Sequence, residues 1–300
     1  MVKLVVVTGP TMAGKTELGI QLAKEFNGAI ISADSRAIYK GLDIGTNKPT
    51  FNQQAEQRFD YYVIKEVRHY GLDIVEPIQD FTVKDFKDLA DQKINEISDL
   101  GQVPMLVGGS GLYVEAVIDR FDFAGQVIVD NVIKNLPIAQ LIKRIEAIDP
   151  QLIQGIDLKN RRRLEPILAR AQAGSMPKSG QALRPNTLLL VVDRPRQELY
   201  ERSDRQVDNW LKWGLLDEVA RIAPRISDSD FKQLGLVYYL SWQYLEGKFS
   251  KNDFITKLKF GLHGLIRRQL TWWRRRPDAR WVSGYTDSKD IIDKFLGVSC

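Results

Sequence analysis

The residues best suited to chemistry lie at positions 9–16, Gly9-Pro10-Thr11-Met12-Ala13-Gly14-Lys15-Thr16, which fit the spacing G-x-x-x-x-G-K-[ST]. Such a loop binds phosphate. Its glycines let backbone N–H groups curl around phosphate oxygens at the start of a helix, the lysine adds a point charge, and the last hydroxyl can hold a magnesium ion. Lys15 and Thr16 take those two roles here. The motif leaves the phosphate compound and the acceptor open, because kinases, nucleotide hydrolases and transferases share it. Asp34-Ser35-Arg36 with Tyr39 offers either a carboxylate pointing above this loop or a helix N-cap. The run 188–192 followed by Asp193 resembles the strand that presents a magnesium-holding Asp in ATPases, or is a carboxylate that simply ends a strand. Basic residues cluster at Arg161-Arg162-Arg163 and over 267–276, as polyphosphate contacts or as solvated helix faces.

Each polar turn needs a strand behind it. Residues 2–8 form a β-branched apolar run of parallel-strand character, and the glycine loop leads into an amphipathic helix over about 15–26. A second strand, 29–33, ends at Asp34, and a third, 105–107, ends in Gly108-Gly109-Ser110-Gly111. Between them, 83–100 reads as a helix with Phe86, Leu89, Ile94 and Ile97 on one face. This alternation implies a parallel sheet with ligands outside the carboxyl ends of its strands, where all three turns fall. Residues 138–148 and 160–173 read as helices without strong strands around them, the second closed by Gly174. The run 188–192 returns to the sheet, and 196–213 and 251–273 are long amphipathic helices expected to pack on it. The expected fold is α/β: a P-loop NTPase-like parallel sheet flanked by helices, with a small helical insert lobe. Its parts are a core over 1–113, the lobe over 114–182 and the rest of the core over 183–300.

Composition narrows the chemistry. One cysteine, Cys300, cannot form an internal disulfide, and two histidines, His69 and His263, cannot assemble a Cys/His zinc site. Zinc chemistry and a Ser-His-Asp mechanism are therefore poor fits. The chain opens on a strand and glycine loop rather than a cleavable leader, and no apolar run spans a bilayer, so a cytoplasmic protein without membrane contact is expected. The net charge of +5 matters chiefly where it clusters.

Several motifs together make the resemblance specific. The phosphate loop, Ser32-Ala33-Asp34-Ser35-Arg36 with Tyr39-Lys40-Gly41, Asp43-Ile44-Gly45-Thr46 with Lys48-Pro49, and Val107-Gly108-Gly109-Ser110-Gly111-Leu112-Tyr113 resemble the tRNA dimethylallyltransferase (isopentenyltransferase) family in order and spacing. Asn160-Arg161-Arg162-Arg163, Gly214-Leu215-Leu216 with Glu218-Val219, Tyr244-Leu245-Glu246-Gly247 and Arg267-Arg268-Gln269-Leu270-Thr271-Trp272-Trp273-Arg274 extend it over nearly the whole chain. The resemblance implies that dimethylallyl diphosphate lies in the P-loop and that the acceptor is N6 of the adenine just 3′ of the tRNA anticodon. It implies Asp34 as general base, Ser110 near the acceptor, Thr11 on the diphosphate, and Mg2+ held at Thr16. It also implies tRNA contacts by Asp34, Ser35, Arg36, Ala37, Arg163, Arg267, Arg268 and Gln269. A monomer binding the anticodon stem-loop is the expected form.

An adenine amine is a weak nucleophile because its lone pair is delocalised into the ring, so the donor carbon must become electrophilic by partial ionisation. Lys15, loop N–H groups and magnesium can stabilise the leaving diphosphate, and a base must take the N6 proton. The adenine must leave its stack, which an anticodon loop permits. Trp272 and Trp273 are adjacent and cannot share one helix face, so at least one is expected in the core.

The chain departs from the family pattern at several positions. Met12-Ala13 stand where Ala-Ser is usual, which removes a hydroxyl from the loop; Ala37 replaces Gln or Leu; Ser110 replaces Thr. The Gly-Tyr-Lys/Arg element survives only as Gly235 followed by Tyr238-Tyr239, and the insert is short, with Pro166 expected to interrupt its helix. Three rivals remain. One is a kinase of a nucleoside-like molecule with Arg196, Arg202 and Arg205 as lid arginines. The others are a prenyltransferase of free adenine nucleotides and a noncatalytic RNA-binding protein.

Overall fold

The computed structural model describes residues 2–51, 54–123, 129–153, 156–174 and 183–298. In chain order β1 (Leu4–Thr8) leads through the glycine loop into α1 (Lys15–Glu25), followed by β2 (Gly28–Ser32), β3 (Ala55–Gln57), β4 (Tyr62–Ile64) and β5 (Val67–Tyr70). Then come α2 (Val83–Asp99), β6 (Val103–Val107), α3 (Gly111–Ile118), α4 (Asn131–Asn135), α5 (Ile138–Ile148) and α6 (Arg161–Gln172). The chain closes with β7 (Thr187–Val192), α7 (Arg196–Lys212), α8 (Leu215–Ile222), α9 (Asp228–Leu234), α10 (Leu236–Leu245), α11 (Lys251–Trp273), β8 (Arg280–Val282) and α12 (Tyr285–Leu296).

One sheet runs β3-β4-β5-β2-β6-β1-β7-β8. From β5 to β8 every pairing is parallel, whereas β3, β4 and β5 pair antiparallel. The expected parallel sheet thus gains an antiparallel edge. Strands of three or four residues carrying Glu56 and Arg68 are too short and polar to show a hydrophobic period.

The inner strands lack polar alternation because both sheet faces are covered. Val5, Val7, Ile30, Met105, Leu188 and Leu190 face Leu18 and Leu22 of α1 and Ile292 of α12. Leu4, Val6, Ile31, Leu106, Leu189 and Val191 face Phe86, Ile94 and Ile97 of α2 and Val114 and Val117 of α3. Each such side chain contributes about 1.5–3 kcal/mol on full burial. A third cluster joins Phe254, Leu258 and Leu262 of α11 to Val207, Trp210, Leu215 and Tyr238. Four-residue spacing carries α11 on through Ile266 and Leu270 to one sheet face, and Trp273 reaches the other. α11 therefore ends beside the sheet.

The chain divides into two compact units, Met1–Ile118 with Leu183–Cys300, and Asp119–Ala182. The helical unit begins at Asp119 rather than at 114, because α3 buries Val114, Val117 and Ile118 with α2. The unit's own core comprises Ile133, Leu141, Ile145, Leu164 and Leu168. α6 runs through Pro166 instead of breaking there. A proline removes one backbone bond, and burial of Leu164 and Leu168 on either side offsets that loss. Among the described residues, no helix is long and apolar enough to cross a membrane.

Candidate active site

Three turns meet at the carboxyl ends of β1, β2 and β6. The β1 turn reaches this position because residue 9 has no side chain: a Cβ on Gly9, at φ +139°, would lie 2.9 Å from the Val192 carbonyl oxygen. Met12 adopts a left-handed φ of 66° without a glycine's freedom, at a cost of about 1–2 kcal/mol. Ala13 is buried against the core, so the hydroxyl missing there is lost from the core side of the loop. Gly9 and Pro10 are also buried, which leaves Thr11, Met12, Gly14, Lys15 and Thr16 to line the cavity. The first-turn N–H groups of α1 lack intrahelical acceptors and suit an anion. Lys15 Nζ donates to the Pro10 carbonyl at 2.7 Å. Desolvation lowers its pKa to about 8, and nearby Asp34 opposes part of that shift.

The β2 turn divides the work of Asp34 between its oxygens. Oδ1 accepts from the Arg36 N–H at 2.8 Å and, more weakly, from the Ala37 N–H at 3.4 Å, the local turn expected of an N-cap residue. Oδ2 has no hydrogen-bond partner among the described residues, and the side chain lines both cavities described below. The β6 turn packs directly on this one. Gly108 has no room for a Cβ, which would fall 2.2 Å from the Ala33 oxygen. Ser110 N–H donates to that oxygen at 3.1 Å, while its hydroxyl accepts from Ser35 N–H at 2.9 Å and donates to Ser35 Oγ at 3.1 Å. Ser110 thus fixes the β2 turn.

Gln269, expected on RNA, makes two hydrogen bonds within the site. Its Oε1 accepts from Thr11 N–H at 2.8 Å and its Nε2 donates to Gly109 O at 3.0 Å, clamping the P-loop to the β6 turn. From α7, Arg202 lines the P-loop cavity, and Glu198 braces it at 2.9 Å and Arg194 at 3.1 Å. Arg194 Nε in turn donates to Ala13 O at 2.8 Å.

Two cavities result. The first, about 400 Å3, has the P-loop residues on one side and Asp34, Lys48, His69 and Arg202 around the rest. The second, about 310 Å3, is walled by Ser35, Arg36, Ser110, Gly235, Val237 and Arg268. Both are lined by Thr11, Lys15, Asp34, Thr46, Asn47 and Gly109, so a phosphate-side chamber and a basic chamber meet at Asp34 and Lys15. His69 is buried, and desolvation lowers its pKa to about 4, keeping it neutral. Its Nδ1 lies 3.0 Å from Val67 O, which can only accept, so Nδ1 carries the proton.

Other expected residues are placed elsewhere. Ala37 is 3% exposed and lines the first cavity but not the second. Arg267 is exposed and lines neither cavity. Arg163 is exposed in the helical unit, where Arg161 instead donates to the Leu136 carbonyl at 2.6 Å and ion-pairs with Glu165. Trp273 is fully buried, as expected of at least one of the pair, and the partly buried Trp272 packs on Gly111. Asp193 is exposed, lines neither cavity and its N–H bonds Val282 O, matching a carboxylate that ends a strand. Of the proposed lid arginines, Arg196 and Arg205 are exposed and only Arg202 reaches a cavity. Lys48, fully buried between Asp43 at 2.7 Å and Asp73 at 2.5 Å, and Glu218, described below, carried no assigned role in the sequence. Asp43 is five residues from Lys48, but Asp73 and the partners of Glu218 are brought in by the fold.

The IPP transferase family model matches residues 37–276, well over half of the chain. The chain belongs to the IPP transferase family. It is 35% identical over 290 residues to a tRNA dimethylallyltransferase of Roseiflexus sp. (strain RS-1), covering 93% of this chain and 92% of that protein. It is 34% identical over 309 residues to that of Carboxydothermus hydrogenoformans, covering 98% and 96%. The crystal structure of the full-length tRNA isopentenylpyrophosphate transferase from Bacillus halodurans superposes with a TM-score of 0.70 at 32% identity, covering 99% of this chain and 96% of that one. Within the site, Arg36 lies against the start of α10: its Nε would be 3.0 Å from a Cβ on Gly235.

Proposed function

We infer that this chain transfers a dimethylallyl group from dimethylallyl diphosphate to N6 of the adenosine 3′ of the anticodon in tRNA. The observation that carries this is the junction of the two cavities, where Lys15 and Asp34 line a P-loop chamber and a basic chamber at once. The diphosphate occupies the first chamber against Lys15 and the first-turn N–H groups of α1. An adenine turned out of an anticodon loop enters the second, flanked by Arg36 and Arg268, whose guanidinium planes suit a base or its phosphate. The C1–O bond breaks as the N6–C1 bond forms, charge builds on the leaving diphosphate, and Lys15 stabilises it. The displaced N6 proton passes to Asp34 Oδ2, the oxygen not engaged by the turn.

Among the described residues, no cluster of His, Cys, Asp or Glu could cage a metal. Magnesium nevertheless fits, since it commonly binds through substrate phosphates, waters and few protein groups, and the exposed Thr16 lines the phosphate-side cavity. When bound, it would neutralise charge on the leaving diphosphate. A tRNA substrate implies a cytoplasmic protein, and both chambers lie within one unit of one chain, in keeping with a monomer. Isotopically labelled donor incubated with tRNA tests the proposal: label should enter the RNA with equimolar release of diphosphate. Hydrolysis of the donor without labelled RNA would refute it.

A further inference from the structure

The segment 43–48 forms part of the wall between the chambers: Thr46 and Asn47 line both, and Gly45 lines the second. Its backbone is fastened by Glu218 of α8, a carboxylate 1% exposed. Glu218 accepts from the N–H groups of Asp43 and Ile44 at 2.9 Å each and of Gly45 at 3.3 Å, and from the Tyr238 hydroxyl at 2.6 Å. Among the described residues no cation pairs with it. A buried charge held by four neutral donors is a poor source of stability compared with apolar packing, but it is highly directional. It aligns three successive backbone N–H groups with one side chain of α10. Gly45 completes this fit, since a Cβ there would lie 2.9 Å from the Tyr238 ring.

The opposite end of the segment is fastened separately. Asn47, at a left-handed φ of 53°, accepts through Oδ1 from Gln206 Nε2 at 2.7 Å and Trp210 Nε1 at 2.8 Å. Of these two donors Gln206 lines the phosphate-side chamber and Trp210 the basic one, where Tyr238 and the neighbouring Gly235 and Val237 also lie. We propose that Glu218 is a positioning residue for the acceptor: it fixes the spacing between the 43–48 wall and the start of α10, and with it the width of the chamber that receives the adenine. This rests on the transfer reaction inferred above.

The test is steady-state kinetics with donor and tRNA varied separately, alongside melting temperatures. Glu218→Gln should raise the KM for tRNA at least fivefold while the donor KM stays within twofold of wild type. Asn47→Gly keeps the left-handed backbone, which glycine adopts freely, and, because Asn47 is tied to one residue of each chamber, should raise both KM values. Tyr238→Phe removes one of the four bonds and should raise the tRNA KM about threefold; it carries the test if Glu218→Gln does not fold. Equal changes in both KM values in Glu218→Gln, or an altered melting temperature with both unmoved, would overturn the proposal. A wild-type protein that prenylates no tRNA would overturn the transfer reaction and this proposal together, whereas an active wild type with an unmoved tRNA KM in both Glu218→Gln and Tyr238→Phe would overturn this proposal alone.

Discussion

At the scale of single residues, the site depends on Asp34 dividing its two oxygens between a turn and the reaction. Asp34→Asn keeps a carbonyl oxygen for the Arg36 N–H and removes the base. It should bind donor within about threefold of wild type yet lose about 10²–10⁴-fold in single-turnover rate. Lys15 predicts a pH dependence. Its pKa of about 8 in the free protein must rise when an anionic diphosphate binds beside it, so binding takes up a proton above that pH. Donor affinity should hold below pH 8 and fall by up to tenfold per unit above it. Lys15→Ala should bind more weakly and lose that slope, as titration calorimetry across the range would report. The sequence made the phosphate loop and Asp34 legible because their chemistry lies in short, fixed spacing. The bonds by which Gln269 joins Thr11 to Gly109 were not legible, since those partners lie 258 and 160 positions away in the chain.

At the scale of elements, the turns work because their strands are held close enough for backbone to touch backbone. Gly108→Ala would force a Cβ into the Ala33 carbonyl and part the β2 and β6 turns, displacing both Asp34 and Ser110. It should destabilise the protein by about 1–3 kcal/mol in urea unfolding and lower turnover more than it lowers donor binding. Long elements with strong periodicity were readable: residues 138–148 and 251–273 form helices over the same spans the pattern predicted. The β3–β5 edge and the short helices α8 to α10 were not, because their burial is decided by distant partners. α10 in particular is apolar on all sides, and its Tyr238 is oriented by Glu218 rather than by any pattern in its own residues.

At the scale of the whole molecule, a net charge of +5 acts through a few placed cations rather than through a general field. Arg268 lines the basic chamber and Arg267 does not. Arg268→Ala should therefore weaken tRNA binding and reduce the slope of log affinity against log salt by about one, with a smaller effect from Arg267→Ala; fluorescence anisotropy across a salt series would measure both. The division into a sheet-based unit and a helical unit was legible as a change from strands to helices, while the exact edge at Ile118 required knowing that α3 packs on α2. The most direct measurement is mass spectrometry of the adenosine 3′ of the anticodon, after unmodified tRNA is incubated with the protein, magnesium and dimethylallyl diphosphate. A five-carbon mass increase on that nucleoside, absent with Asp34→Asn, is the predicted result. An unmodified nucleoside after full incubation with wild-type protein would contradict it.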